Sequence, residues 1–413
     1  MDRVILHCDL NSFFASASAL GRADLKNVPF AVCGDPEKRH GIILAKNQKA
    51  KRMGVKTAQT VWQARSLCPQ LVTLPPNYPL YIELSETVRT IYDRYTGYIE
   101  PFGIDECWLD VTAYAAHKKF GEDVAQDIRR TVKAETGLTI SAGVSWNKIF
   151  AKLGSDYKKP DAVTVISRHN FRDVAWPLPA SALLGVGRAT KRKLETAGIN
   201  TIGDLANAPV PFLRSFLGKN GVTLNAFAAG NDSSPVKGAQ YRCGIKGIGN
   251  SMTTVHDLIT DDQVREAFLV LSEMVASRAR KKRLQGRVVA ISLRDNRLLH
   301  ITRQTTLSRD TYISDEIAQC AMRLYHDNWD AASRPIRSIG VRLTRLSPIE
   351  KYTQLGFFDV QRSRMQSLEF TKDDIQRRFG ADALIRASLM ATTVTERGAK
   401  EMHTVHPLSY FRK

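Results

Sequence analysis

Residues 99–111 read IEPFGIDECWLDV. Strong β-formers on both sides of Gly103-Ile104-Asp105-Glu106 predict a hairpin, with strands at 98–102 and 107–112 and two adjacent carboxylates at the turn. A second strand-like stretch, VILHCDLNSFF at 4–14, carries Asp9. Strand ends hold side chains more firmly than mobile loops do. Three carboxylates converging in an apolar frame repel one another unless a divalent cation neutralises them, and oxygen-only ligation suits Mg²⁺ or Mn²⁺. Two such ions about 3.5–4 Å apart can clamp the attacking and leaving oxygens of a phosphoryl transfer. Asp9, Asp105 and Glu106 are therefore the expected metal-binding and catalytic residues.

Working outward, residues 4–10 and 139–145 read as further strands, with a helical period from about 118 to 135 before the second. The class is α+β and multidomain, with a ferredoxin-like, split βαβ core. The segment 12–78 interrupts that core as an inserted small domain, and a strand near 162–166 completes the sheet. From WPLPAS (176–181) a new unit starts, carrying LLGVGRATKRKLETAGINTIGDLA at 183–206. Gly185 and Gly187 predict a tight turn before a basic helix with Arg188 and Lys191. That pattern resembles a helix-hairpin-helix, whose turn amides hold a nucleic-acid phosphate without reading sequence.

Residues 232–247 are polar and rich in Gly, Ser and Pro, and read as a linker. Beyond them Val264, Phe268, Leu271 and Val275 share a helical face, strands follow near 287–294 and 299–307, Ile313, Ile317, Cys320 and Leu324 align on a second helix, and a strand runs near 336–346. The basic run 278–283 offers Arg280, Lys281 and Lys282 to DNA phosphates, and Arg337 is a further candidate. In the tail, Thr371 reads as a helix N-cap, which predicts short helices at 371–380 and 382–390.

Composition bounds the setting. A chain of 413 residues, 43% apolar, can bury several cores, and a net charge of +19 spread over every region predicts a polyanionic partner. No apolar run approaches the ~18 residues of a membrane span, and the N-terminus does not read as a signal peptide. Six scattered cysteines without a C-x-x-C pair indicate neither zinc nor disulfides.

These motifs together carry a family resemblance. Asp9-Leu10-Asn11-Ser12-Phe13-Phe14, Gly103-Ile104-Asp105-Glu106 and Gly143-Val144-Ser145-Trp146-Asn147-Lys148 through Lys159-Pro160 resemble three signatures of the Y-family lesion-bypass DNA polymerases. The chain is similar to the bacterial polymerase IV branch, with features in the fingers that resemble the UmuC-type branch. The resemblance implies a right-hand architecture: palm at 1–11 and 79–166, fingers at 12–78, helix-hairpin-helix thumb at 167–231, linker at 232–247, βαββαβ little finger at 248–348 and tail at 349–413. It implies two Mg²⁺ ions (or Mn²⁺) on Asp9, Asp105, Glu106 and the Leu10 carbonyl, with Phe13 and Phe14 against the incoming dNTP. Phe14 is the steric gate against a ribose 2′-hydroxyl, and Lys159 binds triphosphate.

Two departures from the family pattern stand out. Gln48 and Lys51 occupy the places of a Tyr and an Arg that contact triphosphate, and Gly103 replaces a Ser. On the fingers strand, Ile42 and Leu44 fall above the nascent base pair. Gln354-Leu355-Gly356-Phe357-Phe358 resembles the peptide by which bacterial polymerases bind the sliding clamp. The function implied is template-directed, low-fidelity addition of deoxynucleotides to a primer on DNA, without proofreading, by a monomeric, cytoplasmic, nucleoid-associated bacterial enzyme. A nucleotidyl cyclase and a catalytically weak clamp-recruited scaffold are the alternatives.

Overall fold

The computed structural model describes residues 2–35, 37, 39, 41–118, 121–238, 244–349, 360–380 and 383–390. They fall into two compact units, one built from the described residues of 2–34 and 42–238, the other from those of 35–41 and 244–390. In chain order the strands of the first unit are β1 (Ile5–Leu10), β2 (Phe30–Cys33), β3 (Ile43–Lys46), β4 (Val72–Leu74), β5 (Ile99–Pro101), β6 (Glu106–Asp110), β7 (Ile140–Ser145) and β8 (Val163–Val165). Its main helices are α1 (Phe13–Ser18), α2 (Gln48–Arg52), α3 (Val61–Leu67), α4 (Tyr78–Asp93), α5 (Thr112–Lys118), α6 (Gly121–Thr136) and α7 (Lys148–Tyr157). A helical segment follows with α8 (Phe171–Val174), α9 (Arg188–Thr196), α10 (Ile202–Asn207), α11 (Val210–Leu217) and α12 (Lys219–Ala228).

The principal sheet has the order β5-β6-β1-β7-β8. β1 is antiparallel to both β6 and β7, while β8 extends the sheet in parallel with β7. With α4 and α6 as the two connections, β1, β5, β6 and β7 reproduce the expected ferredoxin-like core. The period of two along β1 decides what faces what. Leu6, Cys8 and Leu10 enter the core shared with Tyr81 and Val88 of α4 and Ile128 and Val132 of α6. Ile5 turns the other way, against Trp108 and Ala151 of α7. Helix α7 lies unusually near the sheet because Gly143 on β7 has no side chain: a Cβ there would fall 1.9 Å from the Ala151 carbonyl oxygen and 2.4 Å from the Ser155 nitrogen. The interrupting segment forms its own small sheet, β3-β2-β4, over a core with Ala31, Ile43, Val55 and Val61.

The expected linker is tied down over its first half. Arg3 donates to the carbonyls of Asp232 and Ser234, Lys237 N–H donates to Glu100, and Val236 is buried. Among the described residues no helix is long and apolar enough to cross a membrane. Cys8, Cys33, Cys68, Cys107 and Cys320 are buried; Cys243 lies outside the described residues.

The second unit runs β9 (Gly247–Leu258), α13 (Asp261–Lys281), β10 (Leu284–Asp295), β11 (His300–Thr311), α14 (Ser314–His326), β12 (Ile336–Pro348) and α15 (Val360–Phe379). Its antiparallel sheet has the order β11-β10-β12-β9. Thr260 caps α13 reciprocally with Gln263, and the apolar faces of α13 and α14 form one core with the sheet. The tail departs from expectation. Thr371 is not an N-cap: it lies inside one continuous helix, its hydroxyl donating to the Ser367 carbonyl, and among the described residues only a short turn at Ala387–Leu389 follows. Tertiary ion pairs on α15 override the local capping signal.

Candidate active site

β1 and β6 place Asp9 directly opposite Glu106 in register. The turn before β6 is held from α4, where Arg89 donates to the Gly103 carbonyl at 2.9 Å and the Ser85 hydroxyl donates to that of Ile104. Leu10 N–H donates to the Asp105 carbonyl at 3.0 Å, so the backbone of both segments is locked side by side. A Cβ at Gly103 would sit 3.3 Å from Asp105 Oδ1, a tight contact that would require the carboxylate to shift by a few tenths of an ångström.

Helix α7 supplies a cation that the sequence did not single out. Lys152 Nζ lies 2.5 Å from Glu106 Oε2 and 3.6 Å from Asp9 Oδ2, bridging two carboxylates that face each other across the strands. Lys159 Nζ lies 2.7 Å from Asp9 Oδ2 and 2.6 Å from Asp156. His7, fully buried two residues before Asp9, has Nδ1 2.8 Å from Ser155 Oγ and Nε2 3.1 Å from Glu106 Oε2. The spacing of Lys148 and Lys152, one turn apart, was the available signal for Lys152. Lys148 pairs instead with buried Glu100 at 2.7 Å, and only the packed structure distinguishes the two.

The electrostatics express an excess of negative charge in a dry place. Burial, then the charges of Asp9 and Glu106, pushes Asp105 up to about 7. Burial also raises Asp9, against the pull of Lys159. At Glu106 burial pushes upward too, but the contact with His7 and the Lys152 ammonium together hold it down, at about 2. Burial lowers His7 to about 4. Among the described residues no three His, Cys, Asp or Glu side chains are gathered closely enough to enclose an ion. The donor set nonetheless suits a hard divalent cation: it is all oxygen, and an ammonium already bridges Glu106 and Asp9.

The two aromatics after Asp9 part company. Phe13 is buried in the core, so the expectation that it lies against a nucleotide is corrected. Phe14 is only partly buried and stacks on Tyr81, with ring centroids 4.3 Å apart and 9° between planes. Ser12, at φ 49°, makes the turn that starts α1 and sets this division. Leu44 is half-buried on β3; Gln48 and Lys51 lie on α2, which Asn47 caps through a bond from Ala50 N–H. No hydrogen bond joins Gln48 or Lys51 to the carboxylates among the described residues.

Of the expected DNA contacts, Gly187 is the N-cap residue just before α9, Gly185 makes the turn ahead of it at φ 98°, and Arg188 and Lys191 are exposed. Lys281 and Lys282 are exposed at the end of α13 and Arg337 is half-buried on β12. Arg280 is a correction. Its side chain is 2% exposed and pairs with Glu369 at 2.8 Å and Asp373 at 2.6 Å, both on α15, so it holds the tail helix and cannot reach DNA there. Exposed Arg287, Arg294 and Arg342 on the second sheet were not anticipated, because alternation of Arg with apolar residues is also the ordinary pattern of a one-sided sheet. Gln354, Leu355, Phe357 and Phe358 lie outside the described residues.

Comparison with known proteins agrees with this geometry. Residues 8–156 match the impB/mucB/samB family, residues 245–357 that family's C-terminal domain, and residues 181–232 the thumb domain of DNA polymerase iota. The chain is 46% identical to a DNA polymerase IV of Acetivibrio thermocellus, over 94% of this chain and 98% of that protein. It is 35% identical to DNA polymerase IV 2 of Bacillus subtilis, over 97% and 98%. A solved Y-family DNA polymerase chimera superimposes with a TM-score of 0.72 at 22% identity, covering 83% of this chain and 98% of that one. The carboxylate-bearing sheet, the small inserted sheet, the helical segment and the second α/β unit are thus the palm, fingers, thumb and little finger of one architecture, and the chain belongs to the Y-family of lesion-bypass DNA polymerases.

Proposed function

We propose that this chain adds deoxynucleotides to a primer on a DNA template, with Asp9, Asp105 and Glu106 as the residues at which phosphoryl transfer takes place. The observation that carries the reading is the Asp9–Glu106 register with Lys152 bridging the pair. Asp9, Asp105, Glu106 and the Leu10 carbonyl would hold two Mg²⁺ ions, or Mn²⁺. Such ions, when bound, neutralise charge on the attacking and leaving oxygens. The protein's own contribution is placement. The hairpin turn pinned by Arg89 and Ser85 fixes Asp105, the strand register fixes Asp9 against Glu106, and Lys159 is near enough to Asp9 to exchange that partner for a triphosphate oxygen. Phe14, braced on Tyr81, closes the space a 2′-hydroxyl would need. Leu44, Gln48 and Lys51 extend the nucleotide site on the fingers; Gly185, Gly187, Arg188, Lys191, Lys281, Lys282 and Arg337 contact template-primer phosphates; and residues 354–358 dock on the sliding clamp. The enzyme works as a monomer.

The test is Asp105→Ala with a labelled primer-template. Extension is expected to fall to a trace while DNA affinity stays within about twofold, because thumb and little-finger phosphate contacts carry binding. Extension near the wild-type rate would remove Asp105 from the site.

A further inference from the structure

Trp62 is the most exposed large apolar residue of the described structure, at 77%. It does not lack a core to join. Helix α3 buries Val61 and Ala64 against the fingers core, and its Thr60–Gln63 capping box fixes the helix start, so the neighbouring Trp62 is held outward by a well-defined helix. The other four tryptophans are spent differently. Trp108, Trp146 and Trp329 are buried and Trp176 is half-buried against the thumb core.

The surroundings point to one kind of occupant. From Lys38 to Ile82 the sequence contains no Asp or Glu, yet Lys46, Lys49, Lys51, Arg52, Lys56 and Arg65 all fall within it. Arg52, Lys56 and Arg65 are exposed and pair with no carboxylate among the described residues. Arg65 is three residues after Trp62, on the same face of α3. A protein partner's apolar patch would be served by the indole but not by unneutralised cations; a duplex would be served by the cations but offers no open base to the indole. A single strand uses both, with phosphates on the cations and an unpaired base on the ring. Position narrows it further. Ile42 and Thr60 are bridged as antiparallel partners, and Ile43 N–H donates to the Gln59 carbonyl at 2.8 Å, so α3 starts directly beside β3, the strand that the polymerase reading sets over the nascent pair.

We infer that the fingers carry a single-strand DNA subsite in which Trp62 stacks on an unpaired template base ahead of the one being copied, with Arg65, Arg52 and Lys56 on the adjoining phosphates. The inference rests on the polymerase reading above for its direction along the template.

The full chain is titrated, at one fixed salt concentration, with labelled primer-templates whose 5′ template overhang is one or six nucleotides. Wild type is expected to bind the longer overhang more tightly, by about tenfold. Trp62→Ala should lose that gain and keep its affinity for the one-nucleotide overhang; Trp62→Phe should retain most of the gain. Intrinsic fluorescence should be quenched by a short oligothymidylate in wild type and not in Trp62→Phe. An unchanged overhang gain in Trp62→Ala overturns the inference, as does equal weakening of both substrates, which would mean a duplex contact. Failure of the polymerase reading is separate: it shows as wild-type protein that binds these substrates but extends none.

Discussion

At the scale of single residues, the site is organised by which of two neighbouring side chains the backbone turns inward. Ser12 in the left-handed region starts α1 so that Phe13 enters the core and Phe14 is left on Tyr81. A residue braced face to face on a buried tyrosine has little room to move, which suits an excluding role. Phe14→Ala is therefore expected to raise incorporation of ribonucleotides relative to deoxynucleotides on the order of 100-fold, measured as the ratio of single-nucleotide kcat/KM values. An unchanged ratio would place the gate elsewhere. Lys152 shows the same dependence on placement. Its ammonium sits between two carboxylates that would otherwise repel, and Lys148, one turn earlier, serves a buried structural pair with Glu100.

At the scale of elements, two close contacts do most to set the site and the distal unit. The first is α7 on β7. Any side chain at Gly143 would overlap backbone atoms of α7, which cannot rotate away as a flexible side chain could. Gly143→Ala is expected to displace α7 together with Lys152, lowering stability by roughly 3 kcal/mol and kcat/KM by about 100-fold; thermal melting and steady-state extension would show both. A variant that melts and extends as wild type would mean that this contact is not what positions Lys152. The second is α15 on the second unit, where Glu273 meets Lys372 and, at 2.7 Å, Arg386, while Arg280 meets Glu369 and Asp373. Burial pushes Glu273 upward, but Lys372 and Arg386 outweigh it and hold its carboxyl below the ordinary 4.5. A depressed carboxylate contributes stability that is complete above its unfolded value and disappears as pH falls through the folded one. The second unit should therefore lose stability on acidification below about pH 4.5. Glu273→Gln should lose about 3 kcal/mol at neutral pH and show a shallower acid dependence. Parallel acid titrations of the two proteins would contradict this.

At the scale of the whole molecule, the charge of +19 is spread along the chain, so binding to primer-template DNA should be dominated by phosphate neutralisation. Raising salt from 50 to 200 mM is expected to weaken primer-template binding by about 10³-fold or more, read by anisotropy; a loss below about tenfold would mean that few of these cations touch phosphate. The same comparison separates what was legible in the chain from what was not. Sequence alone determined the carboxylate strands, the split core and the basic character, because strand period and turn chemistry are local and a summed charge needs no structure. Only the tertiary structure decided that Arg280 is a buried tie and Lys281 an exposed cation, that Phe13 is buried and Phe14 only partly so, that α15 is one helix, and that Lys152 bridges Asp9 and Glu106. The reason is physical: the role of a charged or aromatic side chain is set by what packs opposite it, and that partner is dozens of residues away in the chain.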